Sequence, residues 1–280
     1  MIETLIEDIE QVIKGRGGWS EVIAEDMGRA IADTATARFG KPQEPRGYLS
    51  LSSIGTPCSR KLWYKVNKSD LSEELPAKVL LKFFFGDMIE ELILSLAKAA
   101  GHNVVGTQDR LDVHGIKGHR DAVIDGVTVD VKSASPMSFN KFKSGDLASN
   151  DPFGYISQLS SYVYAAKDDP IVTDKKRGAF LVVDKVSGEL CLDIYDFSNQ
   201  FDNKELEMES AKAMVKGDIP DRPYEPVPQS KTSPNMKLPT MCSYCDFKKT
   251  CWPNLRGFAY SSGPVFLTEV VKEPDVPEIT

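Results

Sequence analysis

The segment Gly118–Ala134, GHRDAVIDGVTVDVKSA, constrains the fold more than any other part of this chain. Within it, Asp125-Gly126 separates two valine-rich runs, and this dipeptide between β-like runs is a strong signal for a two-residue hairpin turn. If these residues form the turn, Ile124 faces Val127 and the register of every other cross-strand pair follows. The sequence therefore predicts a β-hairpin with a defined register.

On this register the two faces of the hairpin differ in polarity, because residues two apart along a strand share a face. The apolar face, expected to pack in the core, consists of Ala122, Ile124, Val127, Val129 and Val131. The polar face consists of His119, Asp121, Thr128, Asp130 and Lys132. The polar face has two interpretations: it is a catalytic surface, or it is polar because it is exposed to solvent.

Asp121 and Asp130 come directly opposite each other, with Cβ atoms about 5 Å apart, and two carboxylates at that separation repel. A divalent cation that prefers oxygen ligands, such as Mg²⁺ or Mn²⁺, removes the repulsion. Lys132 lies on the same face, where its ammonium can orient or deprotonate a water and neutralise charge in a phosphoryl-transfer transition state. The pattern therefore favours the catalytic interpretation.

With these residues the chain resembles the PD-(D/E)xK superfamily, and within it the RecB-like nucleases. Asp121 matches the first hairpin carboxylate of the family, and Asp130-Val131-Lys132 matches its (D/E)xK motif. The resemblance covers about residues 48–256. It implies an α/β, restriction-endonuclease-like core, with a mixed sheet flanked by helices, and a Mg²⁺- or Mn²⁺-dependent deoxyribonuclease activity.

The family also carries a glycine followed four residues later by His or Glu on a helix, and Gly86 and Glu90 match this spacing. Helical periodicity distinguishes Glu90 from its neighbour Glu91, because Glu90 flanks the apolar stripe and Glu91 lies nearly opposite it. The stripe consists of Ile89, Leu92, Ile93 and Leu96. The resemblance thus implies a metal site formed by Glu90, Asp121 and Asp130, with Lys132 as the further catalytic residue.

Downstream of the hairpin, Gln158 and Tyr162 match the QxxxY motif of the RecB-like group, in which these residues organise the active site and contact DNA. Their i, i+4 spacing places both polar tips on one face of a helix. Taken alone, the motif is weak, and an ordinary helix surface is its usual explanation. Its position after the hairpin favours the functional interpretation. Lys141 and Lys143, in a polar segment predicted as a loop over 134–153, are candidate DNA contacts or simply exposed lysines.

Four of the five cysteines are distributed as in the iron–sulfur subset of these nucleases, which includes AddB-type enzymes and the CRISPR-adaptation nucleases. Cys58 stands in a Pro-Cys-x-Arg context far upstream, and Cys242, Cys245 and Cys251 form a compact trio. The resemblance implies that these four hold a 4Fe–4S cluster. Zn²⁺ accepts four thiolates equally well and remains the alternative. Cys191 has no partner at useful spacing.

The chain has 280 residues and a net charge of −7, with local basic patches. We predict an N-terminal helical region over 1–45, a nuclease domain over 46–258 closed by the cysteines, and an acidic, disordered tail over 259–280. Apolar runs are too short to span a membrane. The start lacks the features of a signal peptide, so a reducing cytoplasm is expected, that of a bacterial host if the protein is phage-encoded.

The resemblance to the iron–sulfur subset implies a metal-dependent DNA nuclease, more specifically an exonuclease that acts on single-stranded DNA or duplex ends. Relatives of this kind serve phage replication, recombination or host-DNA breakdown, so proteins of replication or recombination are the expected partners. The alternative is a non-catalytic DNA-binding or assembly subunit that keeps the fold. The sequence leaves the polarity of cutting and the oligomeric state open.

Overall fold

The computed structural model describes residues 1–41 and 47–279, which form two compact units. The first unit contains residues 1–41, 49–55 and 76–210, and the second contains residues 47–48, 56–75 and 211–279. The boundary at 45/46 that the sequence predicts lies outside the described residues, as does Thr280.

The described residues contain both 3₁₀ helices and α-helices. Three single turns of 3₁₀ helix are Ile2–Thr4, Ser69–Leu71 and Asp146–Ser149. The α-helices are α1 (Leu5–Ile13), α2 (Glu21–Phe39), α3 (Leu51–Ile54), α4 (Ser59–Asn67), α5 (Ala77–Ala99), α6 (Pro136–Ser144), α7 (Tyr155–Ala165), α8 (Phe201–Lys216), α9 (Thr240–Ser243) and α10 (Lys248–Cys251).

Apolar periodicity in the sequence predicts helices over about 2–14, 20–38, 155–166 and 199–216, and these correspond to α1, α2, α7 and α8. It also predicts a helix over 83–100, which begins six residues earlier, as α5. In the two described stretches of the chain, no helix has both the length and the apolarity needed to cross a membrane.

The strands fall into three sheets. They are β1 (Val104–Val105), β2 (Arg110–Val113), β3 (Ile116–His119), β4 (Ala122–Ile124), β5 (Val127–Ala134), β6 (Arg177–Asp184), β7 (Leu190–Asp196), β8 (Val227–Pro228), β9 (Met236–Lys237), β10 (Arg256–Tyr260), β11 (Gly263–Glu269) and β12 (Glu278–Ile279).

The first unit is built on a five-stranded mixed sheet of order β1-β4-β5-β6-β7. Neighbouring strands are antiparallel except β5 and β6, which pair in parallel. A parallel pair needs a crossover connection, and α6 and α7 lie in the segment that provides it. The prediction of an α/β fold with a mixed sheet flanked by helices is confirmed.

Helices cover both faces of this sheet. On one face, α1 and α5 pack against alternate strand residues such as Ile124, Val129 and Leu181. On the other face, α6 and α7 pack against intervening residues such as Phe180 and Val182. Because β5 and β6 are covered on both sides, nearly all of their residues are withdrawn from water, polar ones included.

The predicted hairpin is formed by β4 and β5, with Ile124 opposite Val127. Asp125 and Gly126 have φ angles of +50° and +82°, and a type I′ turn requires positive φ at both of these positions. A Cβ on Gly126 would lie 1.9 Å from the Thr173 hydroxyl oxygen. Backbone conformation and close packing therefore both require glycine here, and they fix the register of the hairpin.

The polar face of the hairpin differs from the prediction in two respects. His119 pairs with Arg110 in a separate two-stranded sheet formed by β2 and β3, so it does not belong to this face. The strand is interrupted at Arg120, whose guanidinium is buried. Thr128 and Asp130 are only 1% and 3% exposed. This excludes the interpretation that the polar face is a solvent-exposed hairpin surface.

The loop predicted over 134–153 is wrong in its first half, where α6 lies. Ser135 caps this helix through its side chain, and Pro136 occupies the first turn, where its missing N–H has no cost. Phe139 and Phe142, three residues apart, are both buried against the sheet. Burial of this aromatic pair outweighs the turn-like composition of the segment.

The second unit contains α4, α9, α10 and a five-stranded antiparallel sheet of order β12-β10-β11-β9-β8. The sequence predicts a disordered tail from residue 259, but residues 259–260, 263–269 and 278–279 lie in strands of this sheet. Buried Phe258 and Leu267 anchor the hairpin of β10 and β11. The Arg256 guanidinium pairs with the Glu278 carboxylate at 2.6 Å, so some of the acidic charge that suggests disorder is neutralised locally.

Candidate active site

The hairpin places two of the predicted catalytic side chains on one strand. Asp130 and Lys132 lie two residues apart on β5, and the Lys132 Nζ is 2.5 Å from the Asp130 Oδ2. Asp121 lies one residue before β4, where the ladder with β5 has ended. Its Oδ2 accepts a hydrogen bond from the backbone N–H of Val131 at 2.8 Å, which holds this carboxylate against β5.

The helix α5 supplies the third carboxylate. Gly86 passes close to β5, and a Cβ there would be 3.5 Å from the Ser133 hydroxyl oxygen. One turn later the Glu90 Oε1 accepts a hydrogen bond of 2.6 Å from the Gln108 side-chain amide. Leu92 departs from the predicted buried stripe, since it is 40% exposed, whereas Leu94 is buried.

The three carboxylates share one electrostatic environment. Burial raises the pKa of Glu90 to about 7, with Glu91 and Asp130 adding to the rise and the Gln108 hydrogen bond opposing it. Burial, Asp130 and Glu90 together raise the pKa of Asp121 well above its usual range. The pKa of Glu91 is also raised, by burial and by Asp87, against the effect of Lys98. Glu90 interacts with both Asp121 and Asp130, and it is therefore the third carboxylate of this group.

Lys132 is held between this negative charge and an aromatic ring. Burial alone would lower the pKa of its ammonium, but Asp130 and Asp121 outweigh burial and raise it above the usual value. The Nζ also lies 5.3 Å from the centre of the Tyr155 ring, within the range of a cation–π interaction. Lys132 is accordingly a charged group with a fixed position.

The helix α7 brings the QxxxY pair to the same place. Burial and the charge of Asp130 raise the pKa of the Tyr162 phenol to about 12, against the opposing effect of the nearby Gln158 side chain. The phenol therefore remains a neutral hydrogen-bonding group near the carboxylates. A Cβ on Gly178 of β6 would lie 3.0 Å from Leu159, so this glycine allows α7 to approach the sheet closely.

The two candidate lysines of the polar segment lie elsewhere on the surface, on α6. The Lys141 ammonium donates to the backbone carbonyl of Asn150 at 3.2 Å. The Lys143 ammonium pairs with the Glu189 carboxylate beside β7. The structure gives neither lysine a contact with Asp121, Asp130 or Glu90, so their predicted contact with DNA stays a prediction.

Two members of the site, Tyr155 and Gln108, are absent from the sequence prediction. Tyr155 precedes Gln158 by three residues and Tyr162 by seven, so helical spacing alone places all three on one face of α7. That signal was available in the sequence. Gln108 offers no such signal, because its partner Glu90 lies 18 residues away in another element.

The donor set suits a hard divalent cation, which prefers carboxylate oxygens. Asp130 Oδ2 is buried and accepts no hydrogen bond from the described residues, although the Lys132 ammonium is adjacent. In the present arrangement of residues 1–41 and 47–279, no three or more His, Cys, Asp or Glu side chains are placed to hold a metal ion. A cation at Asp130 Oδ2 would have to displace the Lys132 ammonium from that oxygen.

In the second unit, the four cysteines of the predicted cluster line one cavity of about 30 Å³, together with Tyr64, Phe247 and Trp252. None of them is in a disulfide. Burial raises the pKa of the Cys242 thiol to about 12, and the other three cysteines add to the rise. Cys58 caps α4, where its Sγ accepts the Lys61 N–H at 3.3 Å. Cys191 is buried in the first unit, apart from this group.

The fold and the site together define a mixed α/β protein with a carboxylate–lysine cluster on a β-hairpin. A profile of the PD-(D/E)XK nuclease superfamily matches residues 19–252. The match spans most of the chain, so the protein belongs to this superfamily. No curated protein matches it. The crystal structure of SSO0001 resembles it over 82% of this chain and 96% of that one, with 14% sequence identity and a TM-score of 0.43.

Proposed function

We propose that this protein is a metal-dependent deoxyribonuclease that hydrolyses phosphodiester bonds, and that it acts as an exonuclease on single-stranded DNA or duplex ends. The observation that carries the proposal is the grouping of Glu90, Asp121 and Asp130 beside a fixed Lys132. Buried carboxylates that raise one another's pKa are unfavourable unless a cation compensates them. Membership of a nuclease superfamily supports the same chemistry.

In this proposal the three carboxylates hold Mg²⁺ or Mn²⁺. Such an ion supplies Lewis-acid stabilisation of the phosphate and a lower pKa for a bound water. Lys132 orients the attacking water and places positive charge beside the scissile phosphate, where negative charge develops. Tyr162 and Gln158 position the substrate through neutral hydrogen bonds. Lys141 and Lys143 would contact the DNA backbone outside this centre.

The proposal is tested by cleavage of labelled DNA in Mg²⁺ or Mn²⁺, comparing the wild type with Asp130→Asn. Metal-dependent cleavage that is lost in the variant supports it. The alternative is a non-catalytic DNA-binding or assembly subunit. A folded wild type that binds DNA without cleaving it would replace the nuclease proposal with this alternative.

We also propose that Cys58, Cys242, Cys245 and Cys251 hold a 4Fe–4S cluster, with Zn²⁺ as the alternative occupant. The proposal is supported by the shared cavity and by four thiols with no disulfide, a sufficient ligand set for either occupant. Five unpaired cysteines also suit a reducing cytoplasm. The cytoplasm of a bacterial host, with replication or recombination proteins as partners, is the corresponding biological setting if the protein is phage-encoded.

A further inference from the structure

Gln108 has an unusual backbone conformation directly beside the candidate active site. Its φ angle is +55°, in the left-handed region that residues other than glycine, asparagine and aspartate seldom adopt. Strained conformations of this kind persist where the surrounding structure imposes them, and they are concentrated at functional sites. The positive φ angle of Gln108 therefore indicates that its contacts impose this conformation.

The contacts of Gln108 join two separate parts of the site. Its backbone N–H donates to the carbonyl oxygen of Asp121 at 3.2 Å. Its side-chain amide donates to the Glu90 Oε1 at 2.6 Å. One residue thus links the helix that carries Glu90 to the backbone of Asp121, at the point where the strand is interrupted.

The segment that contains Gln108 is itself anchored. The buried Arg120 guanidinium donates to the Gly106 carbonyl at 3.2 Å and to the Asp109 carboxylate at 2.8 Å. The Arg120 N–H also donates to the Asp109 carbonyl at 3.2 Å. Residues on both sides of Gln108 are therefore tied to the residue before Asp121, which holds the left-handed turn in place.

We infer that Gln108 is a positioning residue for the metal site, which orients the Glu90 carboxylate toward Asp121 and Asp130. The inference rests on the proposed function, because it takes these carboxylates as metal ligands. A hydrogen bond to Glu90 Oε1 fixes the orientation of the carboxylate while the other oxygen stays free for a cation. Partners of this kind orient metal ligands, and their removal typically lowers metal affinity about tenfold to a hundredfold.

Glutamine fits this role better than asparagine, glutamate or glycine would. Asparagine tolerates the left-handed conformation, but its side chain is one methylene shorter and does not reach Glu90. Glutamate has the right length, but it would replace the donor with a second carboxylate and add to the repulsion. Glycine relieves the backbone strain and removes the side chain altogether.

The experiment measures Mn²⁺ binding by electron paramagnetic resonance, together with the thermal midpoint in EDTA, for the full chain and its Gln108→Gly and Gln108→Asn variants. His114→Gly is the matched control, since His114 has a φ angle of +52° in the neighbouring β2–β3 turn. Its only ion pair in the described residues is a long one, 3.7 Å, with Glu205.

Gln108→Gly and Gln108→Asn are expected to bind Mn²⁺ about tenfold to a hundredfold more weakly, because neither side chain donates to the Glu90 carboxylate. Gln108→Gly should weaken Mn²⁺ binding without a matching loss of thermal stability, because relief of the backbone strain offsets the lost hydrogen bond. His114→Gly should keep wild-type affinity. Affinities of Gln108→Gly and Gln108→Asn within about twofold of the wild type would overturn the inference, since removal of the hydrogen bond to Glu90 would then leave Mn²⁺ affinity unchanged.

A DNA cleavage assay on the same samples separates this inference from the proposed function. Weaker Mn²⁺ binding in the Gln108 variants of a wild type that cleaves no DNA would support the positioning role and reject the nuclease. Cleavage by the wild type, with unchanged Mn²⁺ affinity in the variants, would reject the positioning role alone. A wild type that binds no Mn²⁺ would overturn the inference directly.

Discussion

The Lys132 Nζ lies 2.5 Å from the Asp130 Oδ2, although the two residues belong to the same strand and are only two positions apart. Alternation along β5 places both side chains on one face. The Asp130 carboxylate is almost completely buried, whereas the Lys132 side chain is 21% exposed. The pair therefore follows from the alternation of side chains along a single strand.

Asp121→Asn and Asp130→Asn are expected to have opposite effects on the stability of the metal-free protein. The first removes a repelled carboxylate while its amide oxygen can still accept the Val131 N–H, so the free energy of unfolding should rise by about 1–2 kcal/mol. The second removes the carboxylate that pairs with the partly buried Lys132 ammonium and should lower stability by about 2 kcal/mol.

Chemical denaturation in EDTA at pH 8 measures both effects of these aspartate substitutions. Both variants should lose metal-dependent cleavage. Equal destabilisation by the two substitutions would show that Asp121 is not under electrostatic strain, and it would remove the physical argument for a cation at this site.

The metal-free protein should lose stability as the pH rises from about 4.5 to 7. The pKa of Glu90 is raised to about 7 in the folded state from the ordinary value of 4.5. Between these values the folded state binds more protons than the unfolded state, so the free energy of unfolding falls by up to about 1.4 kcal/mol per pH unit from this group. Asp121 contributes with the same sign.

Thermal melting in EDTA from pH 5 to pH 8 checks this pH dependence. Glu90→Gln should reduce this loss of stability with rising pH. Glu25→Gln, which changes an exposed carboxylate on α2, is the control. An identical pH dependence for Glu90→Gln and the wild type would contradict the assigned cause.

Tyr155 should matter for cleavage through its ring rather than through its hydroxyl. The Lys132 ammonium lies 5.3 Å from the ring centre, and such interactions are worth about 0.5–2 kcal/mol, or roughly 2- to 30-fold in rate. Tyr155→Phe is expected to keep near wild-type turnover, and Tyr155→Leu should lose turnover with little change in KM. Equal losses in the two variants would assign the role to the hydroxyl instead.

The cysteine site predicts a specific metal content. Protein purified without oxygen should be brown and contain about four iron atoms per chain. Cys245→Ser should lose the colour and lower the thermal midpoint, whereas Cys191→Ser, a buried cysteine of the first unit, should keep both iron and colour. Colourless protein with about one zinc atom per chain would replace the cluster by the zinc alternative.

Local patterns predict the hairpin and the sheet, because the Asp125-Gly126 turn and the alternation of polarity are short-range signals. Composition misleads for α6, since the Ser, Pro and Asn content of that segment hides the buried pair Phe139 and Phe142. It misleads again for the C-terminal segment, where a salt bridge of Arg256 neutralises charge that suggests disorder. In both cases tertiary packing decides the outcome.

The site shows the same division between short-range and long-range information. Asp121, Asp130 and Lys132 follow from strand register, and Tyr155 follows from helical spacing. The break at Arg120, which moves His119 to another sheet, depends on contacts with Asp109 that sequence spacing does not reveal. The contact between Gln108 and Glu90 is of the same long-range kind.

The most direct test of the nuclease proposal is the degradation of end-labelled single- and double-stranded DNA in Mg²⁺ or Mn²⁺ by the wild type and Lys132→Ala, purified without oxygen. Lys185→Ala, an exposed lysine in the β6–β7 turn, is the matched control. Thermal melting and DNA binding are measured on the same samples to show that each variant is folded and binds substrate.

We predict metal-dependent cleavage by the wild type and by Lys185→Ala, with release of label from DNA ends. Lys132→Ala should bind DNA with cleavage reduced at least about a hundredfold, as expected for loss of a group that acts in the transition state. Undiminished cleavage by Lys132→Ala, or a folded wild type that binds DNA and leaves it intact in both metals, would contradict the assignment of the hairpin as the catalytic centre.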